Sequence, residues 1–179
     1  MIDYNKVFSK FPDLETENLK LEQFSEFDVM AYYKMCQDPD YVREFIPQGM
    51  QVSQMDAINT ITKKYPQSFK DRQDLTWAVI LKEPMERIIG IRDLFIDTPY
   101  DPVVTQGFIS REYRNKGYNQ EVLLAVIKFL KSVGADHILF NCNSDNEPVL
   151  HIANKLQFDD ITPFQMSMMS TRKKFQLTL

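Results

Sequence analysis

Ser110-Arg111-Glu112-Tyr113-Arg114-Asn115-Lys116-Gly117-Tyr118-Asn119-Gln120-Glu121 brings basic side chains, a glycine and small polar groups into one short run. A β-rich segment, Val103 to Ile109, leads into it, and an amphipathic helix, Gly117 to Val133, leaves it. A strand that turns sharply into a helix leaves several backbone N–H groups unpaired and pointing the same way. Those donors, with the positive end of the helix dipole, form a site for a phosphate or pyrophosphate. Gly117 suits the closest approach, because a ligand reaches the backbone only where no side chain stands in front of it. Arg114 and Lys116 add charge beside the same pocket. The run is an anion cradle of the kind a nucleotide-like cofactor needs.

The elements that hold this cradle follow from periodicity. Leu19, Leu21 and Gln23 alternate with Lys20, Glu22 and Phe24, which gives a first strand. A helix is expected from about Glu26 to Gln37, stopped at Asp38-Pro39 because the residue before proline disfavours helical dihedrals. Ser53 is the expected N-cap of a second helix carrying Met55, Ile58, Ile61, Thr62 and Tyr65, ending near Pro66. Strands are expected at Leu75 to Leu81 and Ile88 to Ile96, joined by a turn at Lys82-Glu83-Pro84-Met85-Glu86. Asp97-Thr98-Pro99-Tyr100-Asp101-Pro102 is a second turn, so Val103 to Ile109 returns antiparallel. After the cradle, Val122, Val126, Phe129, Leu130 and Val133 recur at helical spacing, and Gly134 closes the helix. His137 to Cys142 is a short strand, parallel to the cradle strand because a strand–helix crossover joins them. Leu150, Ala153 and Leu156 mark a last helix from Asn146 or Glu147, with Pro148 in its first turn. Strands around Ile161 to Met168 and Arg172 to Leu179 complete the chain. The expected fold is α+β, a mixed, mostly antiparallel sheet of about seven strands flanked by about four helices, in a single domain over 1–179.

Composition narrows the function. The 179 residues are 44% apolar and 26% charged, ordinary for a globular protein. The formal net charge of −4 argues against a general nucleic-acid binder. No apolar run approaches the roughly 20 residues of a membrane span, and the charged N-terminus has no signal-peptide core. Cys36 and Cys142 lie far apart and form no metal-ligand spacing, so no metal is expected and reduced thiols point to the cytoplasm.

The order of elements, with the cradle after the fourth strand, resembles the GNAT family of acyl-CoA transferases, and within it the ribosomal-protein N-terminal acetyltransferases. Phe11-Pro12-Asp13-Leu14-Glu15-Thr16-Glu17-Asn18-Leu19-Lys20-Leu21 is similar to that branch's opening, with Asn18 and Lys20 where arginines are usual. Thr76-Trp77-Ala78-Val79 and Ile88-Ile89-Gly90 resemble its second and third strands. Tyr113-Arg114-Asn115-Lys116-Gly117-Tyr118 resembles the family's pyrophosphate loop, Arg/Gln-x-x-Gly-x-Gly/Ala. Asn146 through Lys155-Leu156-Gln157-Phe158 matches in spacing Asn-x-x-Ser followed by Lys-Leu-Gly-Phe.

The resemblance implies an N-acetyltransferase that uses acetyl-CoA as cosubstrate and moves its acetyl group directly to a primary amine, on a peptide N-terminus or a small molecule. Backbone groups of Gly107, Phe108 and Ile109 would bond the pantetheine arm and polarise the thioester. Amides of Asn115, Lys116, Gly117, Tyr118, Asn119 and Gln120, with Arg114 beside them, would hold the pyrophosphate, and Asn146 would meet the pantetheine. Catalytic residues are not assigned. Asn119 stands at the loop's last Gly/Ala, where it would crowd the pyrophosphate or the strand beneath. Val149 replaces the serine, Ala153 stands where other members place a tyrosine, and neither can donate to the leaving thiolate. A missing acid costs about 10²–10⁴-fold, which keeps a rival in view: a GNAT-fold protein that binds acyl-CoA, or acts by interaction, without turnover. Gly-x-Gly-x-x-Gly and Gly-Lys-Ser/Thr are absent, which sets aside Rossmann and P-loop enzymes.

The remaining chemistry-bearing residues have plainer readings. His151 lies about 200° around the helix from Val149, so the two are not expected to face the cofactor together. Cys142 reads as a buried small hydrophobe rather than an acyl-cysteine nucleophile. Asp93 and Gln106 read as strand side chains on a solvated face, with contact to the amine or to a basic water as the functional alternative. Trp77 is core, and Arg172-Lys173-Lys174 a solvated strand edge. Tyr32, Tyr33, Met35, Phe164, Met166, Met168 and Met169 are read as core, with an apolar acceptor wall or homodimer surface as the alternative.

Overall fold

A computed structural model describes residues 1–96, 103–163 and 172–179. The elements are α1 (Tyr4–Phe8), β1 (Leu14–Glu15), β2 (Leu19–Gln23), a 3₁₀ turn (Glu26–Asp28) running into α2 (Val29–Met35), and α3 (Pro39–Phe45). Then come α4 (Gln54–Asn59), a π-helical stretch (Thr60–Lys64), α5 (Tyr65–Lys70), β3 (Asp74–Leu81), β4 (Arg87–Phe95) and β5 (Val103–Ile109). A 3₁₀ turn (Arg111–Tyr113), α6 (Tyr118–Ser132), β6 (His137–Asn143), α7 (Glu147–Lys155), β7 (Asp159–Asp160) and β8 (Arg172–Thr178) complete the chain. They form the expected mixed α+β sheet, in the order β1-β2-β3-β4-β5-β6-β8-β7. Its neighbours are antiparallel except for β5 and β6. Two of the strands, β1 and β7, are only two residues long, too short to leave a periodic signal.

The prolines account for most departures from the expected helices. Pro39 does end one helix, but it also begins another: Asp38 Oδ1 accepts from Asp40 N at 2.8 Å as an N-cap, and Pro39 sits in the first turn, where a missing N–H is harmless. α3 was not anticipated, nor was α1. Pro66 does not stop its helix, which continues to Lys70. The π-helical stretch just before it moves the bonding from i−4 to i−5, with Tyr65 N–H reaching Thr60 O, and so relieves the clash of the proline ring with the preceding turn. Ser53 caps α4 as expected, in a reciprocal box with Asp56. Gly134 follows α6 at φ +77°. Gln23 is exposed rather than inward. The turn at 97–102 and most of the strand expected at 161–168 lie outside the described residues, as do Phe164, Met166, Met168 and Met169.

The sheet carries apolar packing on both faces. On one, α6, α7 and α1 cover Leu19, Leu21, Leu75, Trp77, Ile89 and Leu94. On the other, α2 to α5 cover Ala78, Ile91 and Phe108. Tyr32 and Met35 are buried here, and the Trp77 indole donates to Pro12 O at 2.6 Å, so these three are core as read. The Arg172-Lys173-Lys174 segment pairs with β6 on one side, while β7 pairs only with Phe175 and Gln176 beyond it; Lys174 O accepts from Ile161 N at 2.9 Å, and Lys173 Nζ meets Asp160 Oδ2 at 3.1 Å.

Two features of the sheet position the site. First, β3 and β4 slip register between Val79 and Ile80, leaving Ile89 as an extra residue in β4, a β-bulge. Beyond it, Gly90, Arg92 and Leu94 face the α6 side while Ile91 and Asp93 face α2 to α5. Second, β5 pairs with β6 only at Val103↔Ile138 and Val104↔Leu139. From Thr105 onward the two parallel strands separate, and a cleft of about 720 Å³ opens between them.

Candidate acyl-donor and acceptor cleft

The exposed edge of β5 has a fixed phase. Ser110 N donates to Ile89 O at 2.8 Å, so alternate residues Phe108 and Gln106 turn their backbone groups toward β4. Gly107 and Ile109 therefore turn theirs into the gap beside β6. Of the expected trio, Gly107 and Ile109 offer free backbone groups and Phe108 offers its ring. The Ile109 carbonyl is already taken, accepting from Arg114 Nε at 2.9 Å.

Beyond β5 the chain turns through the left-handed region twice, at Asn115 (φ +61°) and Gly117 (φ +83°). Gly117 is the N-cap of α6, with no side-chain cap, and an added Cβ there would meet nothing within 4 Å. The first intrahelical bond of α6 is Glu121 N to Gly117 O at 3.0 Å. The amides of Tyr118, Asn119 and Gln120 thus have no helical partner and lie at the positive end of a 15-residue helix. Gly107, Phe108, Ile109, Arg114, Asn115, Gly117, Tyr118, Asn119, Gln120 and Asn146 all line the cleft. Lys116 does not: its Nζ sits 5.4 Å from the Tyr113 ring centroid.

Arg114, which lines the cleft, is also held by two contacts of its own. Its Nη1 meets Asp40 Oδ2 at 2.5 Å, and its guanidinium lies 5.1 Å from the Phe108 ring centroid. This ion pair holds the Asp40 carboxyl below its usual range. A second cation, Arg92, a residue with no motif around it, lies under the cradle. Its side chain passes over Gly107, where a Cβ would come within 2.7 Å of Cζ, and its Nη2 donates to Asn119 Oδ1. Asn119 therefore turns down onto the strand side rather than out into the loop.

The far wall is built by α3. Asp40 ties it to the β5 side through Arg114, and Glu44 Oε1 ties it to β6 by accepting from Asn143 Nδ2 at 2.7 Å. Glu44 lines the cleft with its side chain only 13% exposed. Gln106 also lines it, and its Nε2 reaches back to Asp93 Oδ2 at 3.4 Å. Asp93 is not on a solvated face. Burial beside Tyr41 and Tyr65 pushes its carboxyl up to about 6, opposed by hydrogen bonds from Thr76 and Gln106. Cys142 lines the cleft, buried, with its thiol pushed up to about 11 by desolvation, which suppresses the thiolate an acyl-cysteine needs.

On α7, Asn146 Oδ1 accepts from Val149 N at 3.4 Å as the N-cap. Val149 and His151 both border the cleft, contrary to their separation around the helix, because the cleft wraps the helix end and His151 stands at its exposed rim. Ala153 is fully buried in the core.

Among the described residues no group of three or more acidic, histidine or cysteine side chains could hold a metal ion, and no helix is long and apolar enough to cross a membrane. No curated protein matches the chain by sequence. Solved structures do match its shape. A GNAT-family acetyltransferase from Bacillus anthracis superposes with a TM-score of 0.76 at 18% identity, covering 93% of this chain and 98% of that one. The RimL ribosomal L7/L12 alpha-N-protein acetyltransferase, in complex with coenzyme A, gives 0.80 at 10% identity, covering 94% and 98%. The microcin C7 self-immunity acetyltransferase MccE, in complex with acetyl-CoA and AMP, gives 0.74 at 11%, covering 92% and 94%. At such identities the likeness is one of fold. The sequence itself matches the acetyltransferase (GNAT) domain family over residues 18–159, most of its length, and the chain therefore belongs to the GNAT acetyltransferases.

Proposed function

We propose that the protein is an N-acetyltransferase that moves the acetyl group of acetyl-CoA directly to a primary amine, on a peptide N-terminus or a small molecule, in the cytoplasm. The observation that carries this is the meeting of a free β5 edge with the uncapped N-terminus of α6 in one cleft. The donor supplies an activated thioester. The amides of Tyr118 to Gln120 hold its diphosphate, and the inward-turned N–H groups of Gly107 and Ile109 fix the pantetheine and face the thioester oxygen. Such fixed donors act where negative charge develops. The amine approaches from the α3 side, where Glu44 and the Arg114-paired Asp40 are the carboxylates in the wall. Asp93, behind Gln106, is ionised above about pH 6 and supports the loss of a proton from the bound ammonium. Two relatives in shape were captured with CoA or acetyl-CoA, which supports the same donor here.

One observation favours a second reading, acyl-CoA binding without turnover: Val149 and Ala153 leave those two positions of α7 without a donor to the departing thiolate. Against it, an alkyl thiol of pKa roughly 8 to 9 can leave without a strong acid.

Thermal unfolding with saturating acetyl-CoA tests the donor assignment. At about 100 times the dissociation constant the gain is roughly 2.7 kcal/mol, or about 5–10 °C for a chain of this length. Arg114→Ala combined with Gly117→Glu is expected to abolish that shift. If both the shift and turnover on a panel of amines survive the double substitution, the cradle is misassigned. A shift without turnover on any amine establishes the second reading.

A further inference from the structure

Arg92 is 6% exposed, and its Nε is buried without a hydrogen-bond partner. Its hydrogen bond runs from Nη2 to a neutral amide, Asn119. The nearest acid in sequence, Asp93, lies on the opposite face of the sheet, among Thr76, Gln106, Tyr41 and Tyr65. A guanidinium removed from water, with Asp93 acting on it only from across the strand and no carboxylate hydrogen-bonded to it among the described residues, is a costly arrangement that an apolar side chain of similar volume would avoid. The place it occupies explains what it gains. It lies between β5 and the first turn of α6, over the side-chain-free Gly107, and what little of it is exposed lines the cleft. Three unpartnered amides at the start of α6 converge on the same end of the cleft. Two independent features, a helix terminus and a buried lone cation, thus call for one anion.

We propose that Arg92 is the counter-charge of the donor's diphosphate: a strand residue, outside the loop, that sets donor affinity and stands unneutralised until the donor binds. The inference rests on the donor site proposed above and adds to it a residue from a different element. Asn119 is then the holder of that cation rather than an obstruction in the loop. Burial draws the Arg92 guanidinium down to about 10, which still leaves it charged at neutral pH.

The test is binding by calorimetry, with melting temperature measured alongside, for wild type, Arg92→Met, Arg92→Gln and Arg92→Lys. The ligands are acetyl-CoA, its nucleotide half 3′-phosphoadenosine diphosphate, and its uncharged half S-acetylpantetheine. We expect Arg92→Met to melt at or above the wild-type temperature without ligand, because it removes a buried unpaired charge. Its affinity for acetyl-CoA and for the nucleotide is expected to fall roughly 10–100-fold, the effect of one charge several ångströms away in a partly desolvated site. S-acetylpantetheine is expected to change less than about twofold, and Arg92→Lys to keep most of the wild-type nucleotide affinity. Arg92→Gln, which retains a donor for Asn119, is expected to behave as Met and covers the case in which Met misfolds. Unchanged nucleotide affinity in both neutral variants overturns the proposal, as does an equal loss for S-acetylpantetheine. If wild type binds neither acetyl-CoA nor the nucleotide, the donor-site reading itself falls and this inference with it.

Discussion

Arg92 and Asp93 are neighbours in β4 and live in different chemical worlds. Each buries a side-chain atom with no partner. The guanidinium faces α6, where helix-end amides repeat its positive sign; the carboxylate faces α2 to α5, among tyrosines and the amide of Gln106. On the proposed reading, one side of the sheet receives an anion and the other a group that gives up a proton. The contrast teaches that a single strand backbone keeps two opposite charges from pairing while each still feels the other, and it sets the proposed donor and acceptor sites on opposite faces.

The largest effect is expected where Arg92 crosses Gly107. Gly107→Val would drive methyl groups into the Arg92 guanidinium and the Ile91 carbonyl, both 2.7 Å from the first added carbon. We expect a loss of about 2–4 kcal/mol, measured by urea unfolding, and partial recovery when Arg92→Ala is added. Absence of any recovery would show that the guanidinium is not what fills that space.

Asp93→Asn is next. The folded carboxyl is held near 6, above its ordinary 3.8, so the folded state keeps the proton more tightly than the unfolded chain. The resulting stability is present below about pH 4 and lost as pH rises through 6. Relative to wild type, Asp93→Asn should gain about 1–3 kcal/mol at pH 8 and nothing at pH 3.5. Turnover of the variant is expected to lose its rise around pH 6. A pH-independent stability difference would remove Asp93 as the titrating group.

Smaller effects are expected at α3. Glu44→Gln should raise the acceptor KM about 3–10-fold, the loss of one charge-assisted contact, while the donor KM stays constant; a change in donor KM alone would put Glu44 on the wrong side of the cleft. Asp40→Asn leaves Arg114 without its carboxylate. Both side chains are about a third exposed, so the cost is about 0.2–1 kcal/mol. It should shrink in high salt, and a salt-independent loss would point to packing instead.

The two sides also differ in how much of them was written into neighbouring residues. The proposed donor side is mostly backbone: a strand edge, two left-handed residues and an uncapped helix, all within Val103 to Gln120, so local sequence rules carried it. The acceptor wall is made of side chains from separate elements, and its central helix, α3, hid behind Pro39, which ends one helix and starts the next. Pro66 misled in the same way, because a π-helical stretch absorbs it. Arg92 carried no local signal, since a lone arginine in an apolar strand acquires meaning only when Gly107 and Asn119 are brought beside it. Arg114 was legible as a residue of the cleft, but its ties to Asp40 and the Ile109 carbonyl were not. The antiparallel pairing of β5 with β4 and its parallel pairing with β6 were legible, the first from alternation and turn residues and the second from the strand–helix crossover; β1 and β7 were too short to show alternation.

The extra residue at Ile89 works as a parity switch. In a strand, odd and even positions belong to opposite faces, and a single unpaired residue reverses the count from that point on. Residues before Ile89 and after it therefore obey different bookkeeping, and the turn at 82–86 can change length without disturbing the site. Insertion or loss of one residue between Ile89 and Arg92 has no such freedom. It would exchange the faces of the cation and the acid, with the composition of the protein almost unaltered and both of the proposed recognition surfaces inverted.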